Sequence, residues 1–335
     1  MQVAIVGCGL IGHKRAEALR PEDTLIGTFD LDAEAASRLA GAYGTEAYDS
    51  FDALLALGPD VVIVATSHER LAELAIQSLE SGTDVLVEKP AGVSMAQVDS
   101  LLAAAQRTGR RVKVGFNHRF HPAIRRAVDE AASGDHGEVL HLRARYGHGG
   151  RPGYDREWRA QAARSGGGEI VDQGMHLIDL SHWILGELPL NAALLRTQFW
   201  DTAVDDNAVL ILGEKAPRDA PWALMHVSWT EWKNMFSLEI YCRAAKLQVD
   251  GLARSYGAQT LKIHRMAAEL GPPETEIVEY SADDRSWQSE WEHFCDRIAD
   301  GGPLLGDLND ARYAWQIVEG AYDAGGYGAV RDGVG

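Results

Sequence analysis

An apolar run at residues 3–6 leads directly into Gly7-Cys8-Gly9-Leu10-Ile11-Gly12, and a helical pattern opens at Ile11 and continues to Leu19. Glycines at this spacing between a strand and a helix allow a tight turn at Gly7, close approach of a ligand to the backbone at Gly9, and close helix-to-strand packing at Gly12. The same grammar repeats downstream. Short Val/Ile/Leu runs at 25–29, 61–65, 85–87 and 112–115 alternate with amphipathic stretches such as Leu71-Ala75-Leu79 and Val98-Leu101-Leu102-Ala105. Continuous apolar strands alternating with helices predict an α/β fold, a doubly wound parallel sheet covered on both faces. Glycine is common in this chain, 35 of 335 residues, so the loop carries weight only because strand, helix and spacing agree.

After Phe120 and Pro122 the pattern changes. A helix is expected over 123–132, then alternating strands at 139–146, 194–200, 208–212, 223–232, 236–242 and 246–249, a helical stretch over 169–185, and closing helices at 286–299 and 308–324. This reads as an α+β domain on an open, mainly antiparallel sheet. The expected division is a Rossmann domain at 1–118 and a substrate-binding and oligomerisation domain at 119–335. An open sheet leaves a face to cover, so a homo-oligomer, dimer or tetramer, is expected through it. Sedimentation showing only a 36.5 kDa species would remove that expectation.

The net charge of −17 argues against a nucleic-acid partner or an anionic membrane surface, both of which need clustered Lys and Arg. Cys8, Cys242 and Cys295 are too isolated to form a disulfide framework or a Cys-x-x-Cys metal pair, which points to a reducing, cytoplasmic setting and to no metal. The apolar run at 3–6 is far shorter than a signal or membrane segment.

The helix opening at the glycine loop offers unpaired N–H groups and a partial positive charge, the surroundings a pyrophosphate needs. Eighteen residues past Gly12 the second strand ends at Asp30, where a carboxylate accepts from ribose hydroxyls and repels a 2′-phosphate. NAD is therefore favoured over NADP.

Glu88-Lys89-Pro90 lies just beyond the strand at 85–87, on the sheet edge where open α/β folds bind ligands. In the second half, Gly166-Gly167-Gly168 leads to Asp172 and His176 at i, i+4 on a helix, with Asp179 three residues on. Together with Gly115-Phe116-Asn117, Arg119-Phe120 and Trp158-Arg159, these motifs resemble the glucose-fructose oxidoreductase, inositol dehydrogenase and MocA family over nearly the whole chain. The resemblance implies a cis Lys89–Pro90 bond and a catalytic Lys89, Asp172 and His176. It also implies cofactor contacts from Gly7, Cys8, Gly9, Leu10, Ile11, Gly12, Asp30, Thr66, Glu88, Lys89 and Asn117. Substrate contacts are expected from Lys89, Arg119, Tyr146, Arg151, Trp158, Arg159, Asp172 and His176. One stretch departs: the family's A-T-P-x-x-x-H reads here Ala65-Thr66-Ser67-His68-Glu69-Arg70-Leu71, without the proline and with leucine at the histidine position.

The implied reaction is hydride transfer between nicotinamide and a secondary alcohol of a sugar-like substrate, catalysed by an NAD(P)-dependent dehydrogenase. An imidazole titrates near neutrality unaided, so His176 is read as the base, with Lys89 orienting the hydroxyl and relaying its proton, and Asp172 positioning substrate or cation. Residues 142–164 hold six arginines against Asp155 and Glu157, with Tyr146, Tyr154 and Trp158 between them. This suits a nucleotide-linked or phosphorylated sugar, since Arg grips phosphate oxygens in pairs. A cyclitol or amino-sugar dehydrogenase is the second reading. Two others stand behind it: a redox-neutral epimerase, dehydratase or glycoside-cleaving enzyme with tightly held NAD, and a non-catalytic dinucleotide-binding regulator.

Overall fold

The computed structural model describes residues 1–328; the last seven positions of the expected 119–335 domain lie outside the described residues. Two compact units emerge, Met1–Asn117 with Trp287–Arg312, and His118–Ser286 with Tyr313–Gly335. The first unit thus also takes in residues 287–312, from beyond the 118/119 division.

The first unit is a five-stranded parallel sheet of β1 (Gln2–Val6), β2 (Thr24–Phe29), β3 (Val61–Val64), β4 (Asp84–Val87) and β5 (Val112–Val114), in the order β2-β1-β3-β4-β5. Every residue of β3 and β4 is buried, which is why residues 61–64 and 85–87 read as unbroken apolar runs. Val61, Val62, Ile63 and Val64 are each fully buried, contributing about 1.5–3 kcal/mol apiece. The helices α1 (Leu10–Glu17), α2 (Ala33–Tyr43), α3 (Phe51–Leu55), α4 (His68–Glu80) and α5 (Met95–Thr108) follow the strands. Asp32 caps α2 by accepting from the Glu34 and Ala35 N–H groups, and Ser94 caps α5 through the Gln97 N–H.

The second unit begins with α6 (Pro122–Ala132) and is built on eight strands: β6 (Val139–Gly147), β7 (Leu190–Arg196), β8 (Asn207–Gly213), β9 (Trp222–Ser228), β10 (Met235–Cys242), β11 (Ala245–Asp250), β12 (Thr260–Arg265) and β13 (Glu274–Glu279). Their order is β13-β12-β11-β10-β6-β9-β8-β7, and only the β6–β9 pair is parallel. Short α7 (Ala162–Ser165) precedes α8 (Met175–Leu185), which packs with the turn before it against β6 and β9. Two of these strands, β12 and β13, escape sequence reading; β13 is an edge strand whose residues are nearly all exposed, so no face of it is apolar. The expected strand at 194–200 is shifted to Leu190–Arg196, because the Asp206 carboxylate draws the N–H groups of Gln198, Phe199 and Trp200 into a bend.

The first unit's returning segment carries most of α9 (Ser286–Asp300), and α10 (Leu308–Gly325) follows it. On α9 the stripe Trp291, Phe294, Cys295 packs into the core formed by Val3, Ile5, Leu39 and Ile63. The same helix sends Glu290 into a buried ionic network. Arg15 of α1 donates from Nε to Glu88 Oε1 at 2.6 Å and from Nη1 to Glu290 Oε2 at 2.7 Å, while Lys113 Nζ reaches Glu290 Oε1 at 2.6 Å. Burial pushes the Glu88 carboxyl up, with Arg15 opposing; Glu290, buried between two cations, is held below its usual range. Among the described residues, no helix is long and apolar enough to cross a membrane.

Candidate active site

In the first unit the glycine loop has the shape a pyrophosphate requires. Gly7 has φ +92°, and a Cβ there would stand 2.4 Å from the Ala65 carbonyl carbon; one at Gly12 would stand 2.1 Å from the Gly7 oxygen. A Cβ at Gly9 would meet nothing within 4 Å, so the loop is open on the side from which a ligand approaches. Gly9 is also the residue before α1 and brings no side chain to its first N–H groups. Cys8 is buried and Leu10 exposed.

Asp30 is set in place beforehand. Its Oδ2 accepts the Cys8 N–H at 2.6 Å and its Oδ1 the Asp32 N–H at 2.9 Å. A carboxylate fixed by two backbone donors keeps lone pairs for ribose hydroxyls. Thr66 donates its hydroxyl to the Ser67 carbonyl at 3.2 Å. In the departing stretch His68 begins α4 and is buried, as is Leu71. The Lys89–Pro90 bond is cis. Glu88, expected at the cofactor, accepts from Arg15 in the buried network through Oε1. Asn117 is buried where the first unit ends.

In the second unit Asp172 lies in a π-type turn, Ile170–Gly174, just ahead of α8, so the α-helical i, i+4 spacing from Asp172 to His176 does not alone direct its carboxylate. Such turns recur at functional sites. Tyr154 OH reaches Asp172 Oδ2 at 3.5 Å and Arg159 Nε lies 3.7 Å from the same oxygen, with the Arg159 guanidinium over the Trp158 ring. His176 is buried, and its ring stacks on that of His118 at 3.7 Å. Tyr146, also buried, stands 6.2 Å from the His176 ring and 5.3 Å from Tyr256.

Burial and the nearby Asp172 and Glu169 charges hold the Tyr154 hydroxyl far above its ordinary range, burial likewise raises Tyr146, and burial lifts Tyr256 to about 12. All three phenols keep their protons at neutral pH. They can donate hydrogen bonds, and burial disfavours the phenolate that a base would need.

Other residues are placed differently from expectation. Arg119 is buried and donates from Nε and Nη2 to both oxygens of Asp179, at 2.8 and 2.6 Å, so it braces α8. Arg151 is 74% exposed and pairs with Glu157 in solvent. The arginine excess at 142–164 is also divided by strand alternation: Leu142, Ala144 and Tyr146 point inward, while Arg143 and Arg145 lie on the outer face, paired with Glu239 and Glu231. Arg159 is the arginine of that set bound to Asp172.

His148, Glu169 and Asp172 bring ligand atoms within 4.8 Å of one another, the composition of a metal site. The donor chemistry runs against it. His148 Nδ1 accepts the Gly150 N–H at 2.9 Å, which leaves the proton of a neutral ring on Nε2, the edge that faces the Tyr154 hydroxyl at 3.4 Å. A metal-bound imidazole instead donates from its second nitrogen. A neutral His148 ring held this way turns its Nε2–H toward the Tyr154 hydroxyl.

Asp205 was missed by sequence reading. Fully buried, it accepts from the Gly168 N–H at 3.2 Å, the Ile170 N–H at 2.9 Å and the Tyr322 hydroxyl at 2.7 Å, fastening the triple-glycine segment and the start of the turn that carries Asp172. Burial raises its carboxyl to about 6 against those three donors. A native carboxyl above its unfolded value of roughly 3.9 contributes most below that value, and this contribution is lost as pH rises through about 6, worth about 3 kcal/mol by linkage. Urea unfolding between pH 4 and 7 should show that decline, and Asp205→Asn should flatten it; a parallel decline in the variant would assign the slope to other groups.

Residues 1–116 match the oxidoreductase family with an NAD-binding Rossmann fold, GFO/IDH/MocA, and residues 124–248 match the C-terminal domain of the same family. The chain belongs to this family. The inositol 2-dehydrogenase of Rhizobium meliloti (strain 1021) is 29% identical over 212 residues, 62% of this chain and 61% of that protein. The UDP-N-acetylglucosamine 3-dehydrogenase of Acidithiobacillus ferrooxidans is 34% identical over 126 residues, 37% of this chain and 39% of that protein. The matches take in less than two thirds of either relative. The crystal structure of GenD2 from gentamicin A biosynthesis in complex with NAD is 25% identical, with a TM-score of 0.82 over 98% of this chain and 95% of that one.

Proposed function

We propose that this family member is an NAD-dependent dehydrogenase acting on a secondary alcohol of a sugar-like substrate, nucleotide-linked or phosphorylated. The observations that carry the reading are a preset Asp30 beside an open glycine loop in the first unit and, in the second, an Asp172 held by Tyr154 and Arg159 just ahead of a buried His176. Residues 1–118 would bind the cofactor, and 119–335 the substrate. When bound, NAD supplies the hydride acceptor. The glycine loop and the α1 N-terminus hold the pyrophosphate and Asp30 takes the ribose hydroxyls, with Thr66 and Asn117 alongside.

His176 accepts the hydroxyl proton, Lys89 orients that hydroxyl and relays the proton, and Asp172, steadied by Tyr154 and Arg159, binds neighbouring hydroxyls. Trp158 and Tyr146 line the sugar, and Arg159 supplies the cation for an anionic group. The relative from Acidithiobacillus ferrooxidans is named for a nucleotide sugar, and that from Rhizobium meliloti for inositol. Buried free thiols at Cys8, Cys242 and Cys295 support a reducing, cytoplasmic setting. Exposed Ile211 and Trp222 on β8 and β9 support a homo-oligomer through the open sheet, for which sedimentation is the test.

The deciding experiment follows absorbance at 340 nm with nucleotide sugars, sugar phosphates and cyclitols, each with NAD and with NADP. NADH formation with a nucleotide or phosphorylated sugar is expected. Turnover of free inositols alone would move the substrate class to cyclitols, and turnover only with NADP would overturn the role given to Asp30.

A further inference from the structure

Phe199 and Trp232 are large aromatic side chains left 58% and 63% exposed, and they meet each other, with ring centres 4.7 Å apart and planes at 78°. Single exposed rings are ordinary on a protein surface, whereas contiguous apolar patches mark places where something binds. We propose that this Phe199–Trp232 corner is a stacking platform for the base of a nucleotide-linked sugar, which narrows the substrate class to nucleoside-diphosphate sugars over simple sugar phosphates. The inference rests on the reading of the Asp172 segment as the sugar site.

The corner is held from behind. Buried Asp206 accepts the N–H groups of Gln198, Phe199 and Trp200 and so fixes the bend that presents Phe199. Trp232 has φ +54°, a left-handed backbone that bulky residues avoid, and Gly149 passes so close that a Cβ there would stand 2.8 Å from the Trp232 Cα. Bulky residues kept in such backbone conformations cluster at ligand sites. Rings set in place beforehand also lose little freedom when a ligand lands on them.

The corner is continuous with the residues given to the sugar. Phe199 meets Trp200 edge-on at 5.1 Å, Trp200 lies 5.8 Å from the Tyr154 ring, and the Tyr154 hydroxyl reaches Asp172. Thr202 donates its hydroxyl to the Ala160 carbonyl at 2.8 Å, tying the loop of Phe199 to the short turn Trp158–Ala160 that carries Arg159. A nucleotide sugar needs a flat apolar face for its base, a cation for its diphosphate and polar groups for its sugar, and this one stretch of the second unit holds all three. An aromatic face takes any base, and a base is uncharged, so the acids beside these rings in sequence, Asp201 and Glu231, do not repel it; Glu231 is moreover paired with Arg145.

The test titrates the NAD-saturated protein by calorimetry with uridine 5′-diphosphate, guanosine 5′-diphosphate and inorganic pyrophosphate, for wild type, Trp232→Ala, Phe199→Ala and Trp232→Phe. At least one nucleotide should bind more tightly than pyrophosphate. Each alanine variant should weaken that nucleotide by about 5- to 150-fold, the loss of one base–aromatic stack, while pyrophosphate binding holds and Trp232→Phe stays within a few-fold of wild type. Both rings are exposed, and unchanged NAD affinity confirms that the variants fold. Nucleotides that bind no better than pyrophosphate, or a nucleotide affinity indifferent to both alanine variants, would overturn the platform. Sedimentation of the same samples separates the other occupant: an oligomer that dissociates in the alanine variants with nucleotide affinity unchanged would make the corner a contact between copies of this chain and sink the proposal. NADH formed from sugar phosphates by a protein that binds neither nucleotide would overturn the platform and leave the dehydrogenase standing. Nucleotide binding through the corner with no NADH formed from any nucleotide sugar would uphold the platform and overturn the dehydrogenase reading.

Discussion

His176→Ala and Lys89→Ala are each expected to lower turnover on the true substrate by about 10²–10⁴-fold, the range a positioned proton acceptor or relay supplies. At the lower end this is roughly 2.7 kcal/mol of transition-state stabilisation. The two variants should differ in kind. Tyr146, Tyr154 and Tyr256 are held protonated, so no phenol can replace a missing imidazole, and His176→Ala should lose the acid limb of the pH profile along with its rate. Lys89→Ala should keep that limb, which belongs to His176, with kcat lowered and KM raised by loss of the group that orients the hydroxyl and relays its proton. If Lys89→Ala removes the limb and His176→Ala does not, the two roles are exchanged. Near-normal turnover by both variants would falsify the assignment outright. NAD affinity, measured separately, should hold in His176→Ala, which tells a chemical defect from a failure to bind.

The features legible in the sequence are those whose chemistry is local. The glycine loop and the strand before it sit within a dozen residues, the carboxylate of Asp30 closes the next strand, and unbroken burial of β3 and β4 leaves an apolar run that can be read directly. What escaped depends on partners far along the chain. Asp205 looks like an ordinary loop acid until the fold brings Gly168, Ile170 and Tyr322 to it. Arg119 carries a motif position yet meets Asp179 sixty residues on, and Arg143 and Arg145 count toward a basic cluster only until strand pairing turns them outward. The parallel pairing of β6 with β9 has no sequence signature, because both strands alternate like their antiparallel neighbours. The stack of His118 on His176 brings together residues 58 positions apart, which no spacing rule joins.

Glu290 shows how far such long-range dependence can be tested. By residue type it is a surface acid, yet it falls on the apolar face of α9, beside Trp291 and one turn before Phe294, and is fully buried between Arg15 and Lys113. Glu290→Leu is expected to destabilise the protein by about 3–5 kcal/mol, since it strands the Lys113 ammonium in the interior and leaves Arg15 to Glu88 alone. Lys113→Met should cost a similar amount by exposing half of the Glu290 charge. The double variant Lys113→Met with Glu290→Leu removes one cation and one anion together and keeps the Arg15–Glu88 pair, so its cost should fall to about 1–2 kcal/mol, well below the sum of the singles. Urea unfolding of the four proteins closes this cycle, and additive losses would mean that the network is no network. The consequence for function lies in what the two outer members adjoin: Arg15 is on the helix that starts at the glycine loop, and Glu88 immediately precedes Lys89. The single variant should therefore bind NAD more weakly under conditions where it remains folded, while the double variant, with Arg15 and Glu88 still joined, should bind it nearly as wild type does. Equal affinity in all four would confine Glu290 to stability and detach the network from the cofactor.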